Sequence, residues 1–379
     1  MRSVVLQDCK MKFFCTTELG NELFLNKELT ERFKVDGTIV GQAFIFESEL
    51  AQAIKIAYLA QSTRDVCFLL SYHKFTQKFD EEELIKKINK SLDLKKIPNL
   101  KGINEFGVFV DTNDKNIKTR AFKISNKIAD SISEKYFTQK NFKVAKRKFL
   151  LEIYKLNNQY ICLFGLSLFN VDLSRRTYRI FVNKTGLRPL SAFSLVLFSG
   201  IKREHKIIDF LCKDNTLMLE AYHYLSNRSV RRYDKNELIN SSSVDFEFDK
   251  VFNKIDCEEI NELDIFATDM AFPNIDAARK NAKIAGVAKK IKFSKRDLRF
   301  FQIAFGDRFD KAITYISLSK YKNNVIVDKI KKYVLPSVNI DLNIITNLPE
   351  EFEKRGFNIK KRLELPQGYL KLNLLKIVP

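Results

Sequence analysis

The sequence predicts a multi-domain α/β protein with an α+β N-terminal part. Residues 264–297 contain an apolar strand ending in Asp269, a helix, Gly286, and a second strand leading to Asp297. This order is typical of nucleotide-binding α/β domains, in which a carboxylate at a strand end accepts hydrogen bonds from ribose hydroxyls. Residues 10–170 alternate between short apolar strands and amphipathic helices. The chain of 379 residues has room for two or three domains.

The first 66 residues contain the patterns of three strands and two helices. Strands are predicted at residues 12–16, 38–40 and 43–46, and a helix at 49–60. An amphipathic helix is predicted at 18–33, because apolar residues recur there at helical spacing. Its buried stripe is expected to consist of Leu19, Leu23, Leu29 and Phe33.

The next hundred residues contain a second group of elements. Helices are predicted at 81–92 and 117–133, and strands at 106–112, 149–156 and 160–168. Asn157 and Asn158 separate the last two strands, which favours a hairpin turn. Further along, residues 226–243 form the longest polar break, and they predict a surface insertion or a flexible loop.

Two segments carry a resemblance to a known family. The run Ala277-Ala278-Arg279 to Gly286 within residues 264–297 resembles the S-adenosylmethionine methyltransferases that modify guanosine in RNA. Residues 171–200 contain an Arg-Arg-x-Tyr-Arg turn and a Leu-Arg-Pro sequence. They are similar to the connector that joins a THUMP RNA-binding module to this methyltransferase domain.

The resemblance extends to the N-terminus, where the sequence FFCTTELGNEL is similar to the ferredoxin-like domain that precedes THUMP in these enzymes. It therefore implies three domains. These are a ferredoxin-like domain at 1–66, a THUMP domain at 67–170, and a Rossmann-like methyltransferase domain at 171–379.

The cofactor loop departs from the family pattern. The family has Asp-Pro-x-Cys-Gly-Ser-Gly-Thr, whereas here Lys213 and Asn215 replace the two glycines. Glycine permits a left-handed backbone, Asn tolerates one, and Lys brings an ammonium that repels the sulfonium of the cofactor. The resemblance implies that S-adenosylmethionine is held by Asp209, Cys212, Asn215, Asp269 and Asp297. The two changes leave open whether the cofactor still binds. Instead of contacting the cofactor, Asp209 could cap the next helix and Asp297 could be part of a plain turn.

The catalytic tetrapeptide of the family, Asn/Asp-Pro-Pro-Tyr/Phe, is missing. In the family this tetrapeptide is the clamp that holds the exocyclic amine of the target base. It would follow the predicted fourth strand at residues 309–320, where the chain has Thr314, Tyr315, Ile316 and Ser317. The resemblance therefore predicts a protein whose methyl transfer is weakened or lost. Asn347 in Asn-Leu-Pro is interpreted as a turn. The alternatives are an active enzyme with a relocated clamp using Tyr315 or Asn347, and a non-catalytic partner that presents tRNA to an active paralogue.

Charge indicates an RNA partner. Lys and Arg number 66 against 46 Asp and Glu, which gives a formal charge of +20 and favours a polyanion. The alternative is a compositional bias in which the excess lysines are only solvated surface. With the family resemblance, tRNA is the expected partner. The candidate RNA-binding residues are Lys118, Arg120, Lys123, Lys127, Lys140, Lys143, Lys146, Arg147, Lys148, Arg175 and Arg176. For Arg175 and Arg176, salt bridges between domains are the alternative.

Other function classes have little support in the sequence. The six cysteines are scattered without C-x-x-C spacing, and the three histidines are isolated, so no metal site is predicted. No apolar run reaches the length of a membrane-spanning helix. The cysteine usage fits a reducing cytoplasm, which is the expected location.

Overall fold

The structure is a computed structural model with two compact units. It describes residues 10–76, 78–101, 105–136, 147–257, 262–301, 308–319, 325–367 and 370–379. The first unit consists of Met1–Thr17, Leu25–Leu173 and Asp234–Lys254, and the second of Glu18–Phe24, Ser174–Tyr233 and Ile255–Pro379. Each unit contains a sheet and helices, so the predicted α/β fold class is confirmed.

The first unit contains a sheet of seven strands within the described residues. They are β1 (Met11–Thr16), β2 (Gly37–Val40), β3 (Ala43–Ser48), β4 (Asp65–Thr76), β5 (Phe106–Thr112), β6 (Arg147–Leu156) and β7 (Gln159–Ser167). Their order is β2-β3-β1-β4-β7-β6-β5, and β5 and β6 pair in parallel. Strands from residues 1–66 and 67–170 share this sheet, since β1 pairs with β4. The division into three domains stays a prediction.

The second unit contains a mixed sheet of seven strands within its described residues. They are β8 (Ile207–Asp209), β9 (Ile265–Asp269), β10 (Lys292–Lys295), β11 (Phe309–Ile316), β12 (Val338–Thr346), β13 (Asn358–Gln367) and β14 (Leu370–Val378). Their order is β10-β9-β8-β11-β12-β14-β13. β8 to β12 run parallel, and β14 pairs antiparallel with β12 and β13.

The strand order of the second unit reverses between β8 and β11. The chain moves outward from β8 to β10, then returns to β11 on the other side of β8 and continues to β12. In open α/β sheets, ligands bind at the carboxyl ends of the strands at such a reversal, because the connections leave in opposite directions and open a crevice. This crevice is where the candidate site is expected.

The helices follow the predicted pattern in most places. In chain order they are Glu22–Lys27, Leu50–Leu59, Glu81–Ser91, Lys115–Lys118, Ala121–Tyr136, Pro189–Ser199, Thr216–Leu225, Lys235–Ser241, Phe248–Asp256, Phe272–Ile284, Val325–Lys329 and Glu350–Glu353. Shorter helical turns are Leu94–Lys96, Arg232–Asp234, Leu298–Phe300 and Leu335–Ser337, and π-helical turns are Glu28–Arg32 and Ile330–Val334.

The predicted helix at 18–33 was wrong in its extent and in its stripe. The helix begins at Glu22 and passes into the π-helical turn at Glu28, while Leu19 and Leu23 are about half exposed, at 55% and 53%. A π-turn changes the angular spacing of side chains, so one α-helical stripe cannot run through the whole segment. The buried Glu28 carboxylate accepts hydrogen bonds from the backbone of Gln61, and this polar anchor was not apparent from the apolar pattern.

The prediction of a flexible loop at 226–243 was also wrong, whereas the alternative of a surface insertion stays a prediction. The segment contains the helix Lys235–Ser241. Ser243 is buried, its backbone N–H donates to the carbonyl of Leu168, and its hydroxyl donates to the carbonyl of Ser167. A polar sequence can pack in this way when its polar groups find backbone partners.

Candidate functional site

Two carboxylates lie at the carboxyl ends of neighbouring parallel strands. Asp209 ends β8 and Asp269 ends β9, and both are buried. Asp209 accepts hydrogen bonds from the Thr314 hydroxyl at 2.7 Å and the Leu211 N–H at 3.0 Å. Asp269 accepts from the N–H of Ala271 at 2.9 Å and of Lys213 at 3.2 Å. The two side chains therefore order the segments that follow their strands.

Burial changes the acidity of the first of these groups. It raises the pKa of the Asp209 carboxyl from 3.8 to about 7, and the hydrogen bonds from Thr314 and Leu211 offset part of the rise. A group with a raised folded-state pKa stabilises the fold fully below about pH 4 and loses that contribution as the pH rises through 7. At pH 8 the fold must therefore hold a buried charge.

Asp209→Asn should make the protein more stable at pH 8, because the amide oxygen keeps both hydrogen bonds without a buried charge. The expected rise in melting temperature at pH 8 is on the order of 2–4 °C, and it should shrink toward pH 4. Thermal unfolding at both pH values measures it. The matched control is Asp297→Asn, since Arg299 lowers the pKa of the Asp297 carboxyl and removing that charge should bring no gain. A lower melting temperature for Asp209→Asn at pH 8 would contradict the prediction.

The loop after β8 keeps a left-handed backbone without the expected glycines. Lys213 has φ 48° and Asn215 has φ 65°. For residues with a Cβ this conformation costs roughly 1–2 kcal/mol each. The Cys212 N–H donates to the carbonyl of Thr268 at 2.9 Å, and the Asn215 N–H donates to the carbonyl of Cys212 at 2.6 Å. The loop is therefore held by backbone bonds although the sequence has changed.

The Asn215 side chain is buried at the start of the helix Thr216–Leu225. Within the described residues, neither its carbonyl oxygen nor its amide nitrogen has a hydrogen-bond partner. Such unsatisfied buried groups are costly, and they often mark a place where a water or ligand is held.

The Lys213 side chain extends from the loop after β8 to β11. Its ammonium Nζ lies 3.9 Å from the centroid of the Tyr315 ring and donates to the Thr185 carbonyl at 2.9 Å. Burial lowers the pKa of this amine from 10.5 to about 8, and nearby carboxylates offset part of the fall. The side chain therefore occupies the crevice between β8 and β11.

Residues that the sequence did not identify as anchors of the loop hold it in place. Asp214 accepts from Arg179 Nη2 at 3.3 Å and from the Asn183 N–H at 3.2 Å. Arg179 Nε also donates to the Thr216 hydroxyl at 3.1 Å. Asn281 donates to the Asp214 carbonyl at 2.9 Å, and it is part of the Ala-Arg-x-Asn-Ala sequence that carried the resemblance. That match was the signal that could have identified Asn281 as an anchor of the loop.

Asp297 lies beyond the end of β10 and pairs with a neighbour. Its carboxylate accepts from the Arg299 N–H and from Arg299 Nη2, both at 2.9 Å, at the start of the short helical turn Leu298–Phe300. These contacts fit the alternative of a plain turn. A role in contacting adenine stays a prediction.

Residues 314–317 stand where the resembling family has its clamp, and the first three of them belong to β11. β11 continues to Ile316, the Thr314 hydroxyl bonds Asp209, and the Tyr315 ring lies beneath the Lys213 ammonium. Asn347 Oδ1 accepts from the Leu318 N–H at 2.7 Å, and Asn347 Nδ2 donates to the Leu318 carbonyl at 2.9 Å. Both ends of the amide therefore serve the backbone, which does not fit a clamp relocated to Asn347.

The candidate RNA-binding residues of the first unit have different environments. Lys118, Arg120 and Lys123 are exposed. Lys127 Nζ lies 2.8 Å from a carboxylate oxygen of Glu81, and Arg120 Nη1 lies 3.9 Å from the same carboxylate. Lys118 and Lys123 make no ion pair in the described part of the chain. Of these four candidates, Lys118 and Lys123 are therefore the two whose charge no carboxylate of the described residues compensates.

The second basic cluster is described only in part. Lys140, Lys143 and Lys146 lie outside the described residues. Arg147 is buried, and Lys148 Nζ lies 2.6 Å from a carboxylate oxygen of Asp65. Lys148 is therefore neutralised within the protein, contrary to its expected role as a free phosphate contact.

The two connector arginines also differ. Arg176 is completely buried and bonds the Glu220 carboxylate with Nε at 2.6 Å and Nη2 at 3.2 Å. The prediction of an RNA contact is wrong for Arg176, because its guanidinium is buried and already paired with Glu220. Arg175 is exposed, and it lines a surface cavity of about 370 Å³ together with Arg179 and Arg188. Glu18 also lines this cavity, so its walls carry both signs of charge.

Within the described residues, no group of three or more His, Cys, Asp or Glu could hold a metal ion. The same part of the chain has no helix that is both long and apolar enough to cross a membrane.

The residues around this site are similar to a known protein family. Residues 176–315 match the family described as UPF0020, RMKL-like, methyltransferase domain. The match begins at the connector and ends within β11.

A curated relative, ribosomal RNA large subunit methyltransferase K/L of Buchnera aphidicola subsp. Acyrthosiphon pisum, is 24% identical over 304 residues. The alignment covers 75% of this chain but 41% of the relative, so the chain spans about two fifths of the length of that protein.

Two solved structures are similar over nearly the whole chain. A possible methylase from Clostridium difficile 630 has a TM-score of 0.77 at 21% identity and covers 98% of both chains. TrmN from Thermus thermophilus has a TM-score of 0.71 at 15% identity and covers 97% of this chain and 99% of its own. The chain therefore has the fold of these proteins, and its residues 176–315 are similar to an RMKL-like methyltransferase domain.

Proposed function

We propose that this chain is an RNA-binding protein of the S-adenosylmethionine-dependent RNA methyltransferase type, which acts on tRNA and whose methyl transfer to guanosine N2 is weakened or lost. The match of residues 176–315 to a methyltransferase domain and the charge of +20 support the first part. The single observation that carries the second is the position of the Lys213 ammonium over the Tyr315 ring, at the place of the family's clamp.

The residues at the reversal of strand order between β8 and β11, the switch point of the sheet, fit the nucleoside half of S-adenosylmethionine. Asp269 lies at the end of β9, where a carboxylate can accept from both ribose hydroxyls. Met270 and Phe272 follow it and are exposed, so apolar surface is available for a base.

The same residues do not fit the sulfonium half. The Lys213 ammonium lies in the crevice, and two positive charges repel strongly in a partly buried site. The cofactor class is therefore proposed from the nucleoside half alone.

Calorimetry with S-adenosylmethionine and with tRNA, on the full chain, tests the proposal in two independent parts. Measurable tRNA binding that weakens with salt is expected, because phosphate contacts release counterions. Absence of tRNA binding would overturn the RNA part. Binding of neither the cofactor nor its demethylated product would overturn the cofactor part.

Ribosomal RNA is a second candidate, favoured by the similarity to the ribosomal RNA methyltransferase of Buchnera aphidicola. Competition between unmodified tRNA and a large-subunit ribosomal RNA fragment distinguishes the two. If the ribosomal fragment displaces half of the bound tRNA at a concentration below that of the tRNA, ribosomal RNA is the preferred partner.

Replacing both Lys118 and Lys123 with alanine should weaken RNA binding and flatten its salt dependence. Each lost phosphate contact lowers the slope of log affinity against log salt by roughly one unit. The matched control is Lys127→Ala, because Lys127 is already paired with Glu81 and its loss should change the slope less. Equal slopes for the wild type and the double variant would show that this face does not contact RNA. The cluster at 140–148 stays a separate prediction.

A further inference from the structure

The crevice between β8 and β11 contains a cation that belongs to the protein itself. Lys213 Nζ lies 3.9 Å from the Tyr315 ring centroid, within the range of a cation–π interaction, and donates to the Thr185 carbonyl at 2.9 Å. The backbone N–H of the same residue donates to Asp269 at 3.2 Å. One residue therefore links the candidate ribose ligand on β9 to the aromatic ring on β11.

Charged groups from β8, from the loop after it, from β9 and from residues 171–200 surround this ammonium. Asp209 on β8, Asp214 in the loop and Asp269 on β9 are the carboxylates that favour its charged form. Arg179 of the connector pairs with Asp214 at 3.3 Å, which weakens that contribution. Burial dominates and lowers the pKa of the Lys213 amine to about 8. At pH 7 the amine is still mainly protonated.

A nucleoside held by Asp269 would direct its 5′ substituent along the crevice. Ligands of open α/β sheets lie across the carboxyl ends at the switch point, which here runs from β9 over β8 to β11. The loop with Lys213 lies directly between Asp269 and Tyr315 in this direction. The 5′ substituent would therefore contact the Lys213 ammonium and the Tyr315 ring beneath it, so its charge would affect the affinity.

We propose that Lys213 makes this crevice select an adenosine with a neutral thioether at its 5′ position, as in S-adenosylhomocysteine, against the same nucleoside with a sulfonium. A sulfonium would meet a like charge. It would also find the face of Tyr315 already covered by the ammonium, so it would gain no cation–π interaction there. A thioether carries no charge and suffers neither loss. The inference rests on the proposed function for the class of cofactor.

The test is calorimetric titration of the full chain with S-adenosylmethionine and S-adenosylhomocysteine at pH 7. Lys213→Met keeps an unbranched side chain of similar length but removes the charge. Because Met also has a Cβ, the cost of the positive φ at this position is the same in both proteins. It should strengthen binding of the sulfonium by about tenfold or more while leaving binding of the thioether nearly unchanged. Raising the pH from 7 to 9 on the wild type should act in the same direction, since Lys213 then loses its proton and the nearby Asp209 carboxyl becomes fully ionised. The part of this change that is due to Lys213 is the part that Lys213→Met does not show.

Two control variants separate charge from general disturbance. Lys213→Arg keeps the charge and should keep the preference for the thioether. Lys292→Met removes a lysine that is stacked on Phe266 at 4.8 Å, but Lys292 begins β10 and so lies at the opposite edge of the parallel strands. It should also leave the preference unchanged.

The outcomes divide clearly. A ratio of the two affinities that is the same in the wild type and in Lys213→Met overturns the inference while the proposed cofactor class stands. Binding of neither ligand by either protein overturns both. A preference that disappears in Lys213→Met and persists in both control variants supports the inference.

Discussion

Asp269→Ala should lower the affinity for S-adenosylhomocysteine by about 10²–10⁴-fold. A ribose diol held by a carboxylate makes two charge-assisted hydrogen bonds, each worth roughly 1.5–3 kcal/mol, and every 1.4 kcal/mol is about tenfold in affinity. The same carboxylate receives the N–H groups of Lys213 and Ala271. Its removal therefore also releases the loop that would surround the ligand. The thioether is the better probe because it avoids the charge of Lys213.

The control for this prediction is Asp297→Ala. Asp297 also follows a parallel strand, but its carboxylate is occupied by Arg299. We expect its loss to weaken binding far less than the loss of Asp269. Thermal unfolding of both variants shows whether the fold is intact. If the Asp269 variant is folded and binds as tightly as the wild type, the ribose does not lie at the end of β9.

Much of this site was predictable because its signals are local in the sequence. Asp209 and Asp269 end apolar strands, and the structure places both at the carboxyl ends of neighbouring parallel strands. Parallel pairing turns this local pattern into a spatial one, since equivalent ends of the strands meet at one edge. The left-handed φ of Asn215 also agrees with what its side chain tolerates.

The contacts that the sequence did not reveal join residues far apart in the chain. The position of Lys213 over Tyr315 and the use of Asn347 by the backbone of Leu318 depend on the pairing of strands. No periodicity or motif records which side chain faces which across a sheet.

The same reason explains the errors among the basic residues. The sequence shows where each lysine or arginine is, but not whether its charge is paired. That depends on Asp and Glu residues that are far away in the chain and close in the fold. Arg176 is neutralised by Glu220, and Lys148 by Asp65. The acid that neutralises Lys148 is itself buried, and a buried carboxylate requires such a partner. Net charge therefore does not identify which basic residues are free to contact a partner.

The wild-type protein should transfer methyl groups to guanosine N2 very slowly or not at all. The exocyclic amine of guanine is a poor nucleophile because its lone pair is delocalised into the ring. It needs acceptors that draw its protons and hold it in line with the methyl group. At the end of β11, the Thr314 hydroxyl is used by Asp209, and Ile316 offers no side-chain acceptor. Losing such positioning costs several powers of ten in rate, on the order of 10³ or more.

The measurement is a tritiated-methyl assay with unmodified tRNA at excess of protein. Methylation of a stoichiometric amount of tRNA within minutes, mapped by mass spectrometry to N2 of a guanosine, would contradict the prediction. It would mean that other residues form the clamp.

Lys213→Met separates the two causes that the structure suggests for this loss. The variant removes the charge that opposes a sulfonium but leaves Thr314, Ile316 and the paired Asn347 as they are. If the variant binds S-adenosylmethionine and still does not methylate, the missing clamp limits the reaction, because a bound methyl donor without a positioned amine cannot reach the transition state. If the variant methylates at once, the charge of Lys213 alone had silenced the site, and the argument from the clamp is wrong.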